Sequence, residues 1–242
     1  MKKLNDIQIE TDNQKSERLN FAFKFKTQKK YIFSKIGRYI KGNALEVGSG
    51  VGGNLNFIQK YSESLHAIEP SKITFKELKK NQNLGKVHKS ITLHNLYLKN
   101  LKLKFDTILY IDVLEHIYDD HSEIESALNL LYSKGRIIIL CPAFNFLYSN
   151  EFDRNVGHFR RYNSKLFEKL AKKNQAKIES IFFIDSCGFF LSLLNKFVFK
   201  KNDLSAKTLW FYNKVVIPIS SITDKIFLHK FGKSIIMILS KS

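Results

Sequence analysis

Short apolar runs alternate with amphipathic segments along most of the chain. At residues 16–40 apolar side chains recur at helical spacing and predict a helix, which Gly42 ends. Five short apolar runs then predict strands, and the amphipathic segments between them predict helices. The predicted strands are residues 44–47, 65–69, 87–93, 105–110 and 135–141, and the predicted helices are residues 54–61, 72–80 and a segment that ends near Tyr132.

The repeated order of strand and helix favours a mostly parallel sheet with helices on both faces. After a long loop at residues 144–162, Asn163 or Ser164 is placed to cap another helix. A sixth strand at residues 177–184 and a seventh at residues 234–239 complete the pattern. We therefore predict an α/β fold: a doubly wound, mostly parallel seven-stranded sheet with an N-terminal helix and a helical insertion before the last strand.

The same pattern predicts a simple domain organisation. Residues 1–42 form a tail and a helix, residues 43–242 form one domain, and the insertion covers about residues 187–232 within it. The chain has 242 residues, of which 44% are hydrophobic, and this is enough for one sizeable core. Since crossovers between parallel strands are right-handed, the loops at the carboxyl ends of the strands share one edge. Ligands of open sheets bind at that edge, and we expect the functional site there.

The charge of the chain favours an anionic partner. Forty Lys and Arg residues against 22 Asp and Glu residues give a formal net charge of +18. Nucleic acid, an acidic membrane surface and a phosphorylated substrate would each suit this excess. The basic residues are scattered along the chain, so lysines that merely cover solvated faces explain it equally well. Charge alone does not separate these readings.

Other features exclude whole classes of protein. Two cysteines, Cys141 and Cys187, with no CxxC motif, exclude a disulfide framework. The polar amino terminus lacks the apolar core of a signal peptide, so we expect a cytoplasmic protein. The most apolar stretch, residues 181–199, is interrupted by polar residues and does not predict a transmembrane helix.

The insertion contains apolar segments at residues 188–194 and 210–219 with lysines beside them. Such segments can lie in a membrane interface, so peripheral contact with an anionic membrane, at its inner face, is one expectation. A helical cap packed on the domain is the alternative, and a cap could also form an apolar pocket for a substrate.

A glycine-rich turn follows the first strand and precedes a helix. Gly48, Gly50 and Gly52 allow the backbone to turn sharply and to approach a ligand with no Cβ in the way. Gly48, Gly50 and Gly53 also satisfy the GxGxxG spacing of dinucleotide-binding proteins. The glycine pattern therefore indicates a nucleotide-type cofactor without identifying it.

Two acidic residues lie at the tips of the first two strands. Glu69 comes 69 − 50 = 19 residues after Gly50, where a carboxylate can accept hydrogen bonds from both hydroxyls of an adenosine ribose; the alternative is a solvated acid before Pro70. Glu46 places a charge where dinucleotide-binding strands are normally apolar. An ammonium group on the ligand would explain it, and a carboxylate bonded to backbone at the strand end is the alternative.

A third cluster, Asp112-Val113-Leu114-Glu115-His116, directly follows the fourth strand. Together with residues 44–50 and Glu69, it resembles the motifs of class I S-adenosylmethionine-dependent methyltransferases, and most of all the ubiquinone-biosynthesis group. The resemblance implies a Rossmann-like methyltransferase fold whose last strand is antiparallel. It also implies that Glu46 and the glycine turn face the methionine part of the cofactor, that Glu69 binds the ribose, and that the Asp112 loop lies beside the transferred methyl group.

One position departs from the family pattern. The family often has an acidic residue after the third strand that contacts the adenine amino group, whereas here the segment reads His94-Asn95-Leu96. The side chain of Asn95 could accept a hydrogen bond from that amine, and we include it among the predicted cofactor-binding residues.

The loop after the fifth strand contains Gly157-His158-Phe159-Arg160-Arg161-Tyr162. It resembles a subgroup of bacterial methyltransferases with a similar Gly-His-x-Arg-Arg-Tyr segment. We predict that Arg160, Arg161 and Tyr162 line the acceptor side, since arginine forks suit carboxylate or phosphate. In the alternative, the arginines pair with Asp153 or Glu151 and hold the loop in shape.

Methyl transfer requires mainly that acceptor, methyl group and sulfur be aligned. A hydroxyl acceptor would also need a base, and the candidates are His158 and His116. The seven histidines show no ligand-pair spacing with acids or cysteines, so we expect no metal.

The resulting prediction is an S-adenosylmethionine-dependent methyltransferase that acts on an oxygen, less favourably a nitrogen or carbon, of a small-molecule or lipid-linked acceptor. An RNA methyltransferase suits the charge, but no RNA-binding module accompanies it, so nucleic acid is the less favoured partner. A nicotinamide-dependent oxidoreductase suits the GxGxxG spacing. A non-catalytic membrane-surface protein that keeps the fold is a further alternative.

Overall fold

The computed structural model describes residues 23, 25–149, 153–194, 196 and 206–241. Seven strands form one sheet in the order β3-β2-β1-β4-β5-β7-β6. The strands are β1 Asn43–Val47, β2 Ser64–Ile68, β3 Thr92–His94, β4 Phe105–Ile111, β5 Leu131–Pro142, β6 Ala176–Ile184 and β7 Ser234–Lys241.

Strand directions follow the predicted pattern. The pairs β1–β2, β1–β4, β2–β3 and β4–β5 are parallel. The last strand, β7, is antiparallel to both β5 and β6. The predicted fold, a seven-stranded and mostly parallel sheet with flanking helices, is therefore confirmed. The order reverses at β1 and β4, and the crevice beyond these two strands is where such sheets bind ligands.

Helices cover both faces of the sheet. They are α1 Lys26–Ile36, α2 Leu55–Ile58, α3 Lys72–Asn83, α4 Asp120–Asn129, α5 Ser164–Lys173, α6 Ser186–Leu194, α7 Ala206–Phe211 and α8 Ile217–Ile226, with a π-helical turn, Tyr212–Val216, between α7 and α8. Alternate residues of a strand belong to two separate apolar clusters. In β5, Ile137 and Ile139 pack with α4 and α5, whereas Ile138 and Leu140 pack with α1 and α3. This period of two explains why the central strands are apolar throughout.

Two strand boundaries differ from the prediction. The third strand covers only Thr92–His94 and not residues 87–93. Val87 is buried, but it lies beneath the glycine turn and pairs with no strand, so its apolar character reflects packing in a loop. The fifth strand begins at Leu131 and not at Gly135, because Leu131 already pairs with Phe105 of β4.

Two helices also differ. The helix after the glycine turn is a single turn, Leu55–Ile58, because the chain then continues in i→i+3 hydrogen bonds such as that from the N–H of Lys60 to the carbonyl of Phe57. The helix predicted to end near Tyr132 ends at Asn129. By contrast, the predicted cap is observed: Asn163 accepts the N–H of Leu166 at 2.8 Å at the start of α5.

The N-terminal helix begins at Lys26 among the described residues. The tail and the predicted helical residues 16–22 lie outside them. Helix α1 contacts α2, α8 and the π-helical turn, so it packs against the insertion as well as the sheet. No helix in the described part of the chain is long and apolar enough to cross a membrane.

Buried carboxylates fasten the insertion to the domain. Asp224 of α8 is fully buried and accepts the N–H groups of Asp185 and Ser186, each at 2.8 Å, and the hydroxyl of Tyr31 in α1. Asp185 follows β6 with φ of 67° and accepts the N–H of Gly188 at 3.0 Å. One side chain on the insertion therefore ties α8, β6 and α1 together.

Replacing Asp224 by alanine should destabilise the protein strongly. The change leaves two buried N–H groups and one hydroxyl without their acceptor, and we expect a loss of about 3 kcal/mol in the free energy of unfolding. Urea denaturation followed by circular dichroism measures it. Glu77→Ala, which removes only a surface pair with Lys80 at 3.6 Å, serves as the control and should change stability by less than about 0.5 kcal/mol. Equal effects of both changes would contradict this account of the insertion.

Candidate active site

Three acidic residues meet at the carboxyl edge of the sheet. Glu46 is in β1, Glu69 directly follows β2, and Asp112 directly follows β4. Strands β1, β2 and β4 are neighbours, so their tips converge on the crevice described above. The structure thus brings together the three acids that the sequence motifs single out.

The glycine turn between β1 and α2 requires its glycines. Gly48, Gly50 and Gly52 have φ of 66°, 56° and 91°, a region that side chains rarely adopt. A Cβ on Gly48 would lie 2.9 Å from Val113, and one on Gly52 would lie 2.6 Å from Val87. Within this turn the glycines with positive φ are therefore Gly48, Gly50 and Gly52, whereas Gly53 does not have a positive φ.

Glu69 fastens this turn to the second strand. Its Oε2 accepts the N–H of Gly50 at 3.0 Å, and its Oε1 accepts the N–H of Ser71 at 2.9 Å. The residue is only 7% exposed. A carboxylate accepts hydrogen bonds, so its chemistry suits the hydroxyls of a ribose. The side chain of Asn95 donates to the carbonyls of Glu69 at 2.8 Å and Pro70 at 3.2 Å, which leaves its own oxygen as an acceptor at the same edge.

A second carboxylate, Glu46, is buried in a small polar chain of contacts. Asn54 donates to its Oε1 at 2.8 Å, and Lys29 of α1 donates to the oxygen of Asn54, also at 2.8 Å. Oε2 of Glu46 is buried and accepts no hydrogen bond from the described residues. Burial raises the pKa of Glu46 to about 7, against the bond from Asn54 and the charge of Lys29. An acceptor in this state fits a cationic ligand group, such as the ammonium of a methionine moiety.

Lys29 and Asn54 are functional candidates that sequence reasoning misses. Burial lowers the pKa of Lys29 to about 8, while Glu46 and Asp112 oppose that shift. The ammonium of Lys29 therefore lies between two acids of the crevice. Lysine is common in this chain, and no local signal distinguishes Lys29 from its neighbours in α1. Only the packing of α1 over the crevice identifies it.

Asp112 occupies a strained position at the tip of β4, with φ of 55°. The residue is exposed to solvent, yet desolvation by the surrounding protein raises the pKa of Asp112 to about 6, and His158, Lys29 and Lys233 oppose the rise. Non-glycine residues in this conformation are uncommon and cluster at functional sites. The strain therefore agrees with the predicted place of Asp112 beside a bound ligand.

The loop after β5 is organised by one buried carboxylate. Asp153 accepts bidentate bonds from Arg161 at 2.8 and 2.9 Å, the N–H of Ser149 at 2.8 Å, and a bond to Nδ1 of His158 at 2.7 Å. Burial alone would raise the pKa of Asp153, but the bonds from His158, Arg161 and Ser149 lower it to about 2. Asp153 is thus ionised at neutral pH and holds His158 in one orientation.

The neighbouring residues of this loop are also engaged within the protein. Arg160 pairs with Asp120 at 2.7 Å, and the hydroxyl of the buried Tyr162 donates to the same carboxylate at 2.7 Å. Arg161 is buried on Asp153. These contacts correspond to the alternative in which the arginines hold the loop in shape, although Glu151 lies outside the described residues. An acceptor-binding role for Arg160, Arg161 and Tyr162 stays a prediction.

The two candidate histidines lie against each other. The rings of His116 and His158 meet edge to face with centroids 4.7 Å apart, and Nδ1 of His116 lies 3.2 Å from the carbonyl oxygen of Gly157. Nε2 of His158 lies 3.8 Å from Oε1 of Glu115, which is fully buried. Burial, and after it the charge of Asp112, raises the pKa of Glu115 well above its usual range. The site therefore pairs an oriented imidazole with a carboxyl group that favours the neutral form.

One atom each of Glu115, His116 and His158 lies within 4.8 Å of the others, a spread that a metal ion could bridge. Ligand-pair spacing in the sequence misses this group, because Glu115 and His116 are adjacent and His158 comes 158 − 116 = 42 residues later. The loop bonds of Asp153 bring the third residue into place. The expectation of no metal rested on spacing alone, and this geometry removes that argument.

The comparisons with known proteins agree with this geometry. Residues 45–137, from β1 into β5, match the family described as a methyltransferase domain. No curated protein matches the chain. This match covers less than half of the chain, and it supports the predicted methyltransferase over the nicotinamide-dependent oxidoreductase that the glycine spacing left open.

Solved structures share the fold at low sequence identity. A S-adenosylmethionine-dependent methyltransferase from Clostridium acetobutylicum is 14% identical with a TM-score of 0.58, over 95% of this chain and 98% of that chain. A putative sarcosine dimethylglycine methyltransferase from Galdieria sulphuraria is 14% identical with a TM-score of 0.59, over 89% and 85%. The magnesium protoporphyrin IX methyltransferase of Synechocystis with bound S-adenosylhomocysteine is 15% identical with a TM-score of 0.54, over 95% and 87%. The likeness to the ubiquinone-biosynthesis group and to the loop subgroup stays a prediction.

Binding of a ligand ammonium at Glu46 should depend on pH. Below its pKa of about 7 Glu46 carries a proton, which must leave before the carboxylate can pair with a cation. We expect the affinity for S-adenosylhomocysteine to fall by up to about tenfold for each pH unit below that value. Isothermal titration calorimetry between about pH 6 and pH 7.5 measures the slope.

The control is Glu46→Gln, which cannot ionise and should bind more weakly with a flatter pH dependence than the wild type. Glu63→Gln, at an exposed acid away from the crevice, should keep the wild-type slope. Equal slopes for Glu46→Gln and the wild type would contradict the assignment.

Proposed function

We propose that this protein transfers the methyl group of S-adenosylmethionine to an oxygen of a small or lipid-linked acceptor. The observation that carries the proposal is the convergence of Glu46, Glu69 and Asp112 on one crevice beside the glycine turn. A buried acceptor without a donor, Oε2 of Glu46, suits the ammonium of the methionine part. The carboxylate of Glu69, held against the glycine turn by the N–H of Gly50, suits the ribose hydroxyls, and the side-chain oxygen of Asn95 suits the adenine amine.

When bound, the cofactor supplies an electrophilic methyl group on a cationic sulfur. The residues of the chain then have to orient the acceptor and take its proton. Asp112 lies at the tip of β4, where the family resemblance places the reacting carbon, and His158 contacts the same loop: its ring meets that of His116, and its Nε2 lies 3.8 Å from Oε1 of Glu115. The imidazole of His158 is therefore close to the place where an acceptor hydroxyl would be.

His158 is arranged as a base. The ionised Asp153 binds Nδ1 at 2.7 Å, which favours the tautomer with its proton on Nδ1 and leaves Nε2 to accept a proton. Transfer of the methyl group to a hydroxyl oxygen would release one proton, and Nε2 of His158 would take it. His116 packs against the edge of this ring and is the second candidate for the same role.

Aromatic side chains beside the crevice support an apolar or aromatic acceptor. Phe144, directly after β5, has φ of 64°, an unusual conformation for a bulky residue. Its ring stacks on Phe183 at 5.0 Å and contacts Phe189 of α6 at 5.4 Å, so the wall continues into the insertion. Two solved structures of similar fold are a magnesium protoporphyrin IX methyltransferase and a mitomycin 7-O-methyltransferase, and each name specifies a small molecule. These names favour a small molecule over RNA.

The acceptor class can be tested in a cell extract with radiolabelled S-adenosylmethionine. Label in the lipid or small-molecule fraction supports the proposal, whereas label in RNA would replace it with an RNA methyltransferase. Release of labelled methanol by alkali identifies a methyl ester, whereas methyl ethers and N-methyl groups resist it. A Gly50→Arg variant in the same extract shows how much label arises from other enzymes.

Substitutions in the cofactor crevice should abolish or weaken cofactor binding. Gly50→Arg places a side chain where the turn approaches the ligand, and Glu69→Ala removes the acceptor of the Gly50 N–H and of the ribose. We expect at least a tenfold loss of affinity for S-adenosylhomocysteine by calorimetry. Circular dichroism confirms that each variant is folded. Unchanged affinity in both variants would end the proposal.

Substitution of the base should separate chemistry from binding. His158→Gln should lower kcat by about 10²- to 10⁴-fold while the affinity for S-adenosylhomocysteine stays within about twofold. Asp153→Asn should lower kcat less and shift the pH profile, because it acts only through the orientation of His158. His88→Gln, at an exposed histidine, is the matched control. An unchanged kcat in His158→Gln would assign the base elsewhere, and His116→Gln would be tested next.

A further inference from the structure

The insertion between β6 and β7 exposes an unusual amount of apolar surface. In α6, Phe190, Leu191 and Leu194 are 46%, 37% and 49% exposed. In α8, Ile219, Ile222 and Ile226 are 44%, 63% and 68% exposed and recur on one helical face. The opposite side of α8 carries the buried Asp224 network, so the helix is firmly held with this face outward. We call these six residues, with the turn described next, the cap face.

The cap face is continuous across the two helices. Phe231, which precedes β7, contacts Phe190 of α6 with ring centroids 5.5 Å apart and Phe227, at the end of α8, at 4.8 Å. Helices α6 and α8 also contact each other directly. Contiguous exposed apolar surface of this kind marks interaction sites in folded proteins.

A strained turn extends the cap face at the end of α8. Leu228 is 71% exposed and His229 follows it, with φ of 52° and 56°. His229 is held by its N–H to the carbonyl of Asp224 at 2.8 Å and by Nδ1 at 2.9 Å from the carbonyl oxygen of Phe183. These contacts hold the turn in its strained conformation, and the side chain of Leu228 is thereby exposed to solvent. Strain maintained in this way points to a function of the exposed group.

The exposed charges of the insertion are positive wherever the structure describes it. Among the described residues from 186 to 233, Asp224 is the only acidic one, and it is fully buried. Lys214, Lys225 and Lys230 are exposed, and Lys225 and Lys230 flank the Phe227–Leu228 tip on either side. Apolar side chains with lysines beside them suit an anionic bilayer, which accepts the apolar groups and attracts the cations at the same time. RNA would match the lysines but not the protruding Ile, Phe and Leu side chains.

We propose that the cap face docks on an anionic lipid bilayer, with the Phe227–Leu228 tip in the interface and Lys225 and Lys230 at the level of the lipid headgroups. This inference does not depend on the identity of the methyl acceptor. Docking would, however, bring the crevice close to the bilayer, because the base of the insertion lies beside the crevice. There Lys233 lies 3.3 Å from the hydroxyl of Tyr212, and the charge of Lys233 is one of those that act on Asp112.

The single tryptophan of the chain provides an internal probe. Trp210 lies in α7 of the insertion and is 62% exposed. We expect its emission to shift to shorter wavelength when the full-length protein is mixed with vesicles that contain about a third phosphatidylglycerol, and not with pure phosphatidylcholine. Sedimentation with the same vesicles gives the bound fraction, and brominated lipids should quench Trp210. Since the attraction is partly electrostatic, binding should weaken as salt is raised.

Matched variants separate the cap face from the general positive charge. Phe227→Ser with Leu228→Ser should reduce vesicle binding by about tenfold or more, and so should Lys225→Glu with Lys230→Glu. The controls are Leu84→Ser, at a leucine that is 61% exposed elsewhere, and Lys72→Glu with Lys76→Glu in α3. The controls should bind vesicles like the wild type. All variants should keep the wild-type affinity for S-adenosylhomocysteine, which distinguishes a failure here from a failure of the proposed enzyme function.

Three results would overturn the proposal. The first is no sedimentation of the wild type with anionic vesicles. The second is an equal loss of vesicle binding in the cap-face variants and in the controls, or sedimentation of the wild type without a change in the emission of Trp210. Either result would mean that the net charge attracts the protein to vesicles non-specifically. The third is concentration-dependent self-association without lipid that the Phe227→Ser, Leu228→Ser variant abolishes, which would identify the cap face as a contact between copies of the chain.

Discussion

The hydrogen bond from the N–H of Gly50 to the carboxylate of Glu69 joins the first two strand tips at 3.0 Å, and the geometry of the crevice depends on it. Gly50 has a φ of 56°, which glycine adopts without strain, and the bond fixes the turn against the end of β2. Glu69 also accepts the N–H of Ser71 at the start of α3. One carboxylate thus positions the glycine turn, the second strand and the following helix around a place where an adenosyl group fits.

The carboxylates of the site fall into two groups according to how fully they are paired. Asp153 accepts bonds from Arg161, Ser149 and His158, and its pKa falls to about 2. Glu46 and Asp112 have too few partners to offset desolvation, and their pKa values rise to about 7 and 6. A saturated carboxylate holds structure in place, whereas an under-paired one has binding capacity for a cation. The same distinction separates the loop after β5 from the crevice beside it.

The insertion connects the crevice with the outer surface. Asp185 and Asp224 anchor it to β6 and α1, so that its inner side reaches Tyr212 and Lys233 near Asp112 while its outer side carries the apolar cap face. Such buried acids cost free energy unless every oxygen is satisfied, and here backbone N–H groups and hydroxyls satisfy them. This attachment fixes the position of the cap face relative to the crevice.

The order and type of the elements, the glycine turn and the acids at the strand tips could all be read from the sequence, since side-chain periodicity and the need for glycine at positive φ are local properties. The bounds of the third strand could not be read from the sequence. Val87 is apolar because it packs beneath Gly52 in a loop, and no local pattern distinguishes such a residue from one in a strand. Nor could the sequence reveal the contact of Lys29 with Glu46 through Asn54, and it left open whether Arg161 faces the acceptor or pairs with Asp153, as it does in the structure. A charged side chain is paired with whatever the fold places within about 3 Å of it. That choice depends on distances between residues far apart in the chain, so only the tertiary structure decided it.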